Sequence, residues 1–427
     1  MTSESALKNR HLWIDHLRSF VFALLVLDHC AHAYARDFGR FHFFKDFERG
    51  LLGDILYLHN NSIIMPLLFF IFGLFIFPSI RRHGVTGYLK KRLPKLIVPY
   101  IIGIPLIVPL LVFPRYQYLT NPLMSYTEFW QGVYFQEKLQ GGGPFWVLYC
   151  LLLFTLVAIT LSKVLPSLVP SLGKLFNKAV QRPVPGICIF LCLSILILGG
   201  SDLKWGAPWW IGFGHLETNG DTFWVIVDKV VNLFHLQGSR FLLHALYFTT
   251  GIAVSASGCL DKPEFWHHLS RRWPLWTTAM IVTGLFYCIY TLTFFYEGAY
   301  SDAVHRAIRF EGFKWHEAWP LVIEHGPGVL IRTSFHGIFC FFQAMTYISL
   351  FYRFVSRPNA VLCHLAACSY GIFLLHEVPV IWGQYFLAGS SLPILIKIFL
   401  LFAIGGGLTW AFVGGIRKVT LVRKIIG

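Results

Sequence analysis

Charge is what this sequence has least of. Asp, Glu, Lys and Arg make up only 13% of its 427 residues while 56% are hydrophobic, which leaves too little polar surface for an ordinary water-soluble domain. Mean hydropathy is +0.59, spread over many apolar runs, so a protein with a single anchor is excluded too. Paired cysteines are also missing. The nine cysteines fall mostly inside apolar runs, as Cys188 and Cys192 or Cys363 and Cys368 do, and no pair of CxxC spacings occurs. They read as small buried hydrophobes, so neither a disulfide framework nor a zinc site is expected. No internal repeat, low-complexity run or Pro/Ser-rich linker leads to a soluble domain, so the chemistry is expected from helices and their loops.

What is present is a series of ten runs of about 19 to 24 apolar residues, the length that crosses a hydrocarbon core. They lie near 13–35, 56–78, 95–113, 146–164, 186–204, 240–258, 274–295, 332–354, 365–387 and 393–415. The expected fold is an all-α polytopic membrane protein of about ten transmembrane helices. It forms one domain over 1–427, with a tail at 1–12, a helical bundle over 13–415 and a tail at 416–427. With the N-terminus placed inside, 21 Lys and Arg fall on the inner side, 14 outside and one within the first run; three acidic residues fall inside, sixteen outside and two within that run. Both termini are therefore expected in the cytoplasm. The net charge of +15 becomes a topology signal, the lipid bilayer is the expected partner, and nucleic acid is not. Lys8, Arg10 and the Ala31-His32-Ala33 sequence imitate a cleavable signal peptide, but the charges at 15, 18, 28 and 29 spoil its apolar core.

The first run, Trp13 to Ala35, carries charges that a plain anchor would not. An ionisable residue inside the hydrocarbon core costs at least ~2.5 kcal/mol, yet Asp15 and Arg18 sit near the start of this run and Asp28 and His29 near its end. At 100° per residue the eleven positions from Arg18 to His29 make three turns plus about 20°, which puts both on one face about 16 Å apart along the axis. An imidazole titrates near neutrality and can take a proton from a hydroxyl; the same His29 can instead be an interhelical hydrogen-bonding residue. Asp28, its neighbour, points about 100° away, so an acid from another helix is better placed to orient His29. Arg18 and Asp15 are three apart, fit for an ion pair at the helix foot or for drawing a phosphate to the inner surface.

Six cations, Arg81, Arg82, Lys90, Lys91, Arg92 and Lys95, fill the inner segment between the second and third runs. They obey the positive-inside rule and, with Arg18, also form a dock for a phosphorylated cytosolic cofactor. His29 and His32 make an HxxH on one helical face, but no matching ligand pair appears at metal spacing, so no metal is expected. Outer loops near 114–145, 205–239 and 296–331, rich in aromatic, His, Gly and acidic residues, suit a polar ligand such as a sugar as well as an interfacial aromatic belt. A transporter or channel is the alternative function, since buried charges occur there too. It would show a repeated pair of broken half-helices, which is not seen.

Several phrases together resemble one family. Ile14-Asp15-His16-Leu17-Arg18 followed by His29 is similar to the opening of acyltransferase family 3, the integral-membrane O-acyltransferases of cell-envelope glycans, and to its arginine, ten residues, histidine signature. Phe69-Phe70-Ile71-Phe72-Gly73 resembles its second-helix phrase. Tyr88 through Tyr100 is similar to its basic segment before helix three, Trp146-Val147-Leu148 to its Trp-x-Leu motif and Ser369 through His376 to a late-helix phrase. Phe72 stands where the family usually has Ser, and Lys95 where a second arginine is usual, keeping the charge but losing the bidentate fork.

The resemblance implies a stand-alone enzyme of the bacterial inner membrane, similar to those acting on periplasmic glucans or lipopolysaccharide. Its donor would be cytosolic acyl-CoA, with acetyl or succinyl the expected acyl groups, and its acceptor a hydroxyl of an envelope carbohydrate. His29, with Asp28, is then expected to be catalytic, and Arg18, Arg92, Lys95 and Trp146 to bind the cofactor. Asn60, Asn61 and Trp146 are candidates for stabilising the oxyanion. His376 and Glu377 could form a relay, although a buried histidine tied to a backbone carbonyl is the expected role of His376. A different membrane acyltransferase superfamily would want its catalytic histidine in such a late helix.

Overall fold

The computed structural model describes residues 11–36, 44–134, 143–205, 210–212, 235–295 and 315–426. The tail with Lys8 and Arg10, and most of the loops expected at 205–239 and 296–331, lie outside the described residues. The chain is helical: α1 Leu12–His32, α2 Leu51–Leu106, α3 Val108–Leu119, α4 Trp146–Val164, α5 Leu168–Gln181, α6 Pro183–Trp205, α7 Gly238–Ala256, α8 Pro263–Arg271, α9 Trp273–Tyr290, α10 Trp315–Phe354, α11 Ala360–Leu375, α12 Glu377–Leu387, α13 Ile394–Leu400, α14 Gly406–Ile416 and α15 Thr420–Ile426. A short antiparallel ladder joins β1 Trp210–Gly212 to β2 His235–Gln237.

Every apolar run falls on helix, yet among the described residues six segments are long and apolar enough by themselves to cross a membrane, or seven if α11 and α12, bent by 60° at their junction, are one span. This is a multi-pass membrane protein. The apolar segment Leu51–Leu119 contains two of the runs. α1 fails the same test because Asp15, Arg18 and Asp28 lie within its 21 residues, and α7 carries Arg240 and His244. Both helices bring polar groups into the bundle.

Two segments expected as loops are helical. The cationic stretch 81–95 continues α2, interrupted at Gly84, whose φ of 67° and ψ of 167° break the helix; only glycine adopts that conformation without strain. Pro94 lies beyond this break and within the helix. α10 begins at Trp315, well before the expected start at 332, and holds Pro320 and Pro327. Prolines and scattered charges dilute hydropathy without preventing helix, because the lost backbone bonds can be re-satisfied inside a bundle.

α1 contains neither Gly nor Pro, and Ile14, Leu17, Val21, Phe22 and Leu25 recur at helical spacing on its buried face, the pattern of an amphipathic stripe. Across the bundle, α2 and α7 touch through Gly73 and Gly251. A Cβ on Gly73 would lie 2.1 Å from the Phe248 carbonyl oxygen, and one on Gly251 2.2 Å from that of Phe70. This contact fixes the height of α7, and therefore of Arg240 and His244, against α2.

The segment after α1 is tied down by Lys397 of α13, whose Nζ is fully buried and lies 3.2 Å from both Asp46 Oδ2 and Glu48 Oε2. Removing one member of a buried ion pair leaves the other uncompensated. Lys397→Ala is therefore expected to destabilise the protein by about 3–5 kcal/mol, through the stranded Asp46 carboxylate. Thermal unfolding in detergent would read this as a lower midpoint, and an unchanged midpoint would show that the pair is not structural.

Candidate active site

Arg18 and His29 both reach the helix pair α11 and α12. Arg18 Nη2 donates to the Ala366 carbonyl at 3.4 Å, and His29 Nδ1 lies 2.7 Å from Glu377 Oε1. Ala366 and Glu377 are separated by the same eleven positions as Arg18 and His29, so α1 and the bent pair run parallel. Contacts between them confirm the direction: the Phe22 and Phe373 rings lie 5.5 Å apart. The stripe on α1 thus faces one neighbour along its length, with the Arg18 side chain 30% and that of His29 17% exposed.

The acid beside His29 comes from another helix. Glu377 opens α12 just after the bend, and its side chain is 5% exposed. Asp28 instead faces His32, one turn on, with Oδ2 3.2 Å from Nε2, and reaches His29 only as a nearby charge. The helical 100° offset between consecutive residues makes this division necessary. His376 Nδ1 sits 3.0 Å from the carbonyl oxygens of both Ile372 and Phe373, while its ring stands 5.0 Å from that of His29. Gln384 of α12 donates to the His29 carbonyl at 2.7 Å and pins the end of α1 at this level.

Side chains of Asp28, His29 and His32, and of His29, His376 and Glu377, each bring metal-type ligand atoms within 4.8 Å of one another. The spacing of residues along the chain hid the second group, since its members meet only across helices. The 2.7 Å between His29 and Glu377 is a hydrogen-bond length; two ligands sharing a tetrahedral zinc at bonds near 2.0 Å stand about 3.3 Å apart. A carboxylate accepting from Nδ1–H fixes the tautomer and turns Nε2 into the basic nitrogen.

At the other end of the stripe the cations converge. The charges of Arg92, Arg18 and Arg417 all bear on Lys95. Arg417, at the end of α14, also donates to Cys368 Sγ at 3.5 Å. The Nε atoms of Arg92 and Arg417 are buried without a hydrogen-bond partner among the described residues, an arrangement that suits a multivalent anion. Arg92 lies over the Phe72 ring, 5.2 Å from its centroid, so phenylalanine where the family usually has serine holds the guanidinium by a cation–π contact. Tyr370 of the late phrase donates to the Lys95 carbonyl.

Trp146, grouped with the cofactor residues from sequence, is placed elsewhere: its ring is 5.9 Å from His244. The neighbouring Phe145 packs on Gly103, which lies more than two helical turns beyond Lys95. Trp146 therefore stands away from the cations. Of the two asparagines, Asn61 accepts from Arg240, and Asn60 has a buried Nδ2 without a partner among the described residues. Arg417, Arg240 and Lys397 were counted in sequence only as charges or passed over. Asking which ionisable residues fall in or beside every apolar run, and not only the first, would have singled them out.

Compared with known families, residues 11–415 match the family described as an acyltransferase domain. Searches of curated proteins and of solved structures find no match to the chain.

Proposed function

The chain belongs to this acyltransferase family, and from that premise we propose that it moves an acyl group, acetyl or succinyl, from cytosolic acyl-CoA to a hydroxyl of an extracytoplasmic glycan across a bacterial inner membrane. The observation that carries this reading is the single stripe of α1 with a cation cluster at one end and an imidazole beside a carboxylate at the other. An extended pantetheine arm is of the order of the about 16 Å between them.

Arg18, Arg92, Lys95 and Arg417 hold the phosphates of CoA, and the thioester reaches His29. The glycan hydroxyl attacks the thioester carbonyl carbon as His29 Nε2 takes its proton. The tetrahedral oxyanion is stabilised by a preorganised donor, for which Asn60 Nδ2, buried without a partner among the described residues, is the candidate. Collapse breaks the C–S bond, and the thiolate leaves with the proton that His29 returns. Glu377, bound at Nδ1, keeps the imidazole in the productive tautomer and steadies its positive charge. Asp28 acts at one remove, through His32 and its field.

Purified protein incubated with radiolabelled acetyl-CoA and envelope glycan tests the reading. Label appears on the glycan if it is correct; no transfer with either acetyl-CoA or succinyl-CoA sinks it. In the same assay Arg18→Lys and Arg417→Gln are expected to raise KM for acyl-CoA by about tenfold, the worth of one charge-assisted hydrogen bond, with kcat and acceptor choice little changed. An unchanged KM would remove these residues from the cofactor site.

A further inference from the structure

Beyond His29 the buried polar surface continues into the bundle. His29 and His32 stack with ring centroids 5.3 Å apart, and His32 lies 5.0 Å from Tyr57. One turn along α2 from Tyr57, Asn61 accepts from Arg240 Nη1 through its backbone oxygen at 2.7 Å and through its side-chain oxygen. Arg240 is only 6% exposed. The nearby ion pair joins Arg332 to Asp202, whereas the hydrogen bonds of Arg240 among the described residues all go to the neutral Asn61.

His244 lies one helical turn along α7 from Arg240. Arg240 bears electrostatically on both His244 and His336, and each is 1% exposed. Their ring faces are covered, His244 by Phe69 at 5.1 Å and His336 by Tyr287 at 5.1 Å. Both nitrogens of both rings nevertheless lack a hydrogen-bond partner among the described residues. Native proteins rarely leave four buried ring nitrogens unmatched. Asp202 lies within reach of the Arg240 charge but pairs with Arg332, so the Arg240 guanidinium, hydrogen-bonded among the described residues only to an amide, calls for a further anion.

We propose that Arg240, His244 and His336 form an acceptor subsite that binds a carboxylate or phosphate carried by the glycan beyond its reacting hydroxyl. The inference rests on the acyltransferase reading for which hydroxyl reacts, and it assigns an anionic rather than a neutral acceptor. Two ring-to-ring contacts and a further helical turn separate His29 from Arg240, too far for a carboxylate on a short acyl chain and suited to a neighbouring sugar. Trp146, beside His244, supplies an aromatic face for that sugar.

Binding of labelled trigalacturonate against galactotriose, and of phosphorylated mannotriose against mannotriose, is measured by dialysis with the full chain in nanodiscs and no donor. At least one anionic probe is expected to bind about 10- to 100-fold more tightly than its neutral counterpart. Arg240→Gln should bring that ratio close to one, and Arg240→Lys should retain part of it. Equal binding by the wild type, which needs no variant, or a ratio unaltered in a folded Arg240→Gln, overturns the proposal. Transfer from acetyl-CoA and succinyl-CoA then separates the sources of charge: if Arg240→Gln alters the choice of donor and not of acceptor, the acceptor assignment is wrong. A normal binding ratio without any acyl transfer would sink the acyltransferase reading and leave the anion site standing.

Discussion

Replacing His29 with Ala is expected to abolish acyl transfer in a protein that still folds and inserts. The loss should be ~10²- to 10⁴-fold, the contribution of a positioned general base. Ala also removes the closest cation-forming group from Glu377, a carboxylate only 5% exposed, so part of the effect in that variant could come from rearrangement of α12. His29→Gln separates the two, because an amide still donates to Glu377 but takes no proton. Both variants should bind CoA as the wild type does, since the cations around Lys95 lie at the far end of α1. Single-turnover transfer at saturating acyl-CoA is the measurement. If His29→Gln retains wild-type turnover, His29 is an interhelical hydrogen-bonding residue and the base must be sought elsewhere.

Glu377→Gln should come close to that effect while leaving the bulk of the side chain unchanged. The carboxylate accepts from His29 Nδ1 at 2.7 Å, which leaves Nε2 with the lone pair that attacks a proton. An amide at the same place can donate to Nδ1, which shifts the ring hydrogen to Nε2 and removes the base. The expected fall in kcat is about 10²- to 10⁴-fold, the upper end being the cost of the corresponding Asp to Asn change in a serine-protease triad. KM for acyl-CoA should hold, and Glu377→Asp should recover part of the rate. A variant with normal kcat and lowered thermal stability would reduce Glu377 to a structural partner. Loss of kcat with normal stability would not fit that role.

Much of this was legible in the chain itself. The hydropathy of the runs and the 3.6-residue period place Arg18 and His29 on one face of α1, because both properties depend only on local spacing. The same local geometry turns Asp28 away from His29 and so asks for a distant acid. It does not say which acid. Glu377 answers that demand only because α11 and α12 run parallel to α1 and bend by 60° beside His29. For Trp146, expected among the cofactor residues, the structure adds a neighbour that its motif does not name, the His244 ring at 5.9 Å.

The helix boundaries failed where composition misled. The runs at 95–113 and 332–354 are bounded by charge and hydropathy alone, whereas helix continues through Pro94, Pro320 and Pro327 because a bundle supplies other partners for the freed carbonyls. Conversely, α1 and α7 look too polar for anchors because their charged residues face the interior and not lipid.

By itself the sequence determined the helical membrane class through its apolar runs, the family through phrases spread from Ile14 to His376, and the face shared by Arg18 and His29 through residue spacing along one helix. Only the tertiary structure decided that Glu377 sits beside His29, that Arg417 joins the cations around Lys95 and that the charge of Arg240 bears on two histidines. Those pairings join positions up to hundreds of residues apart, and their energies depend on burial and on distances that no local period encodes.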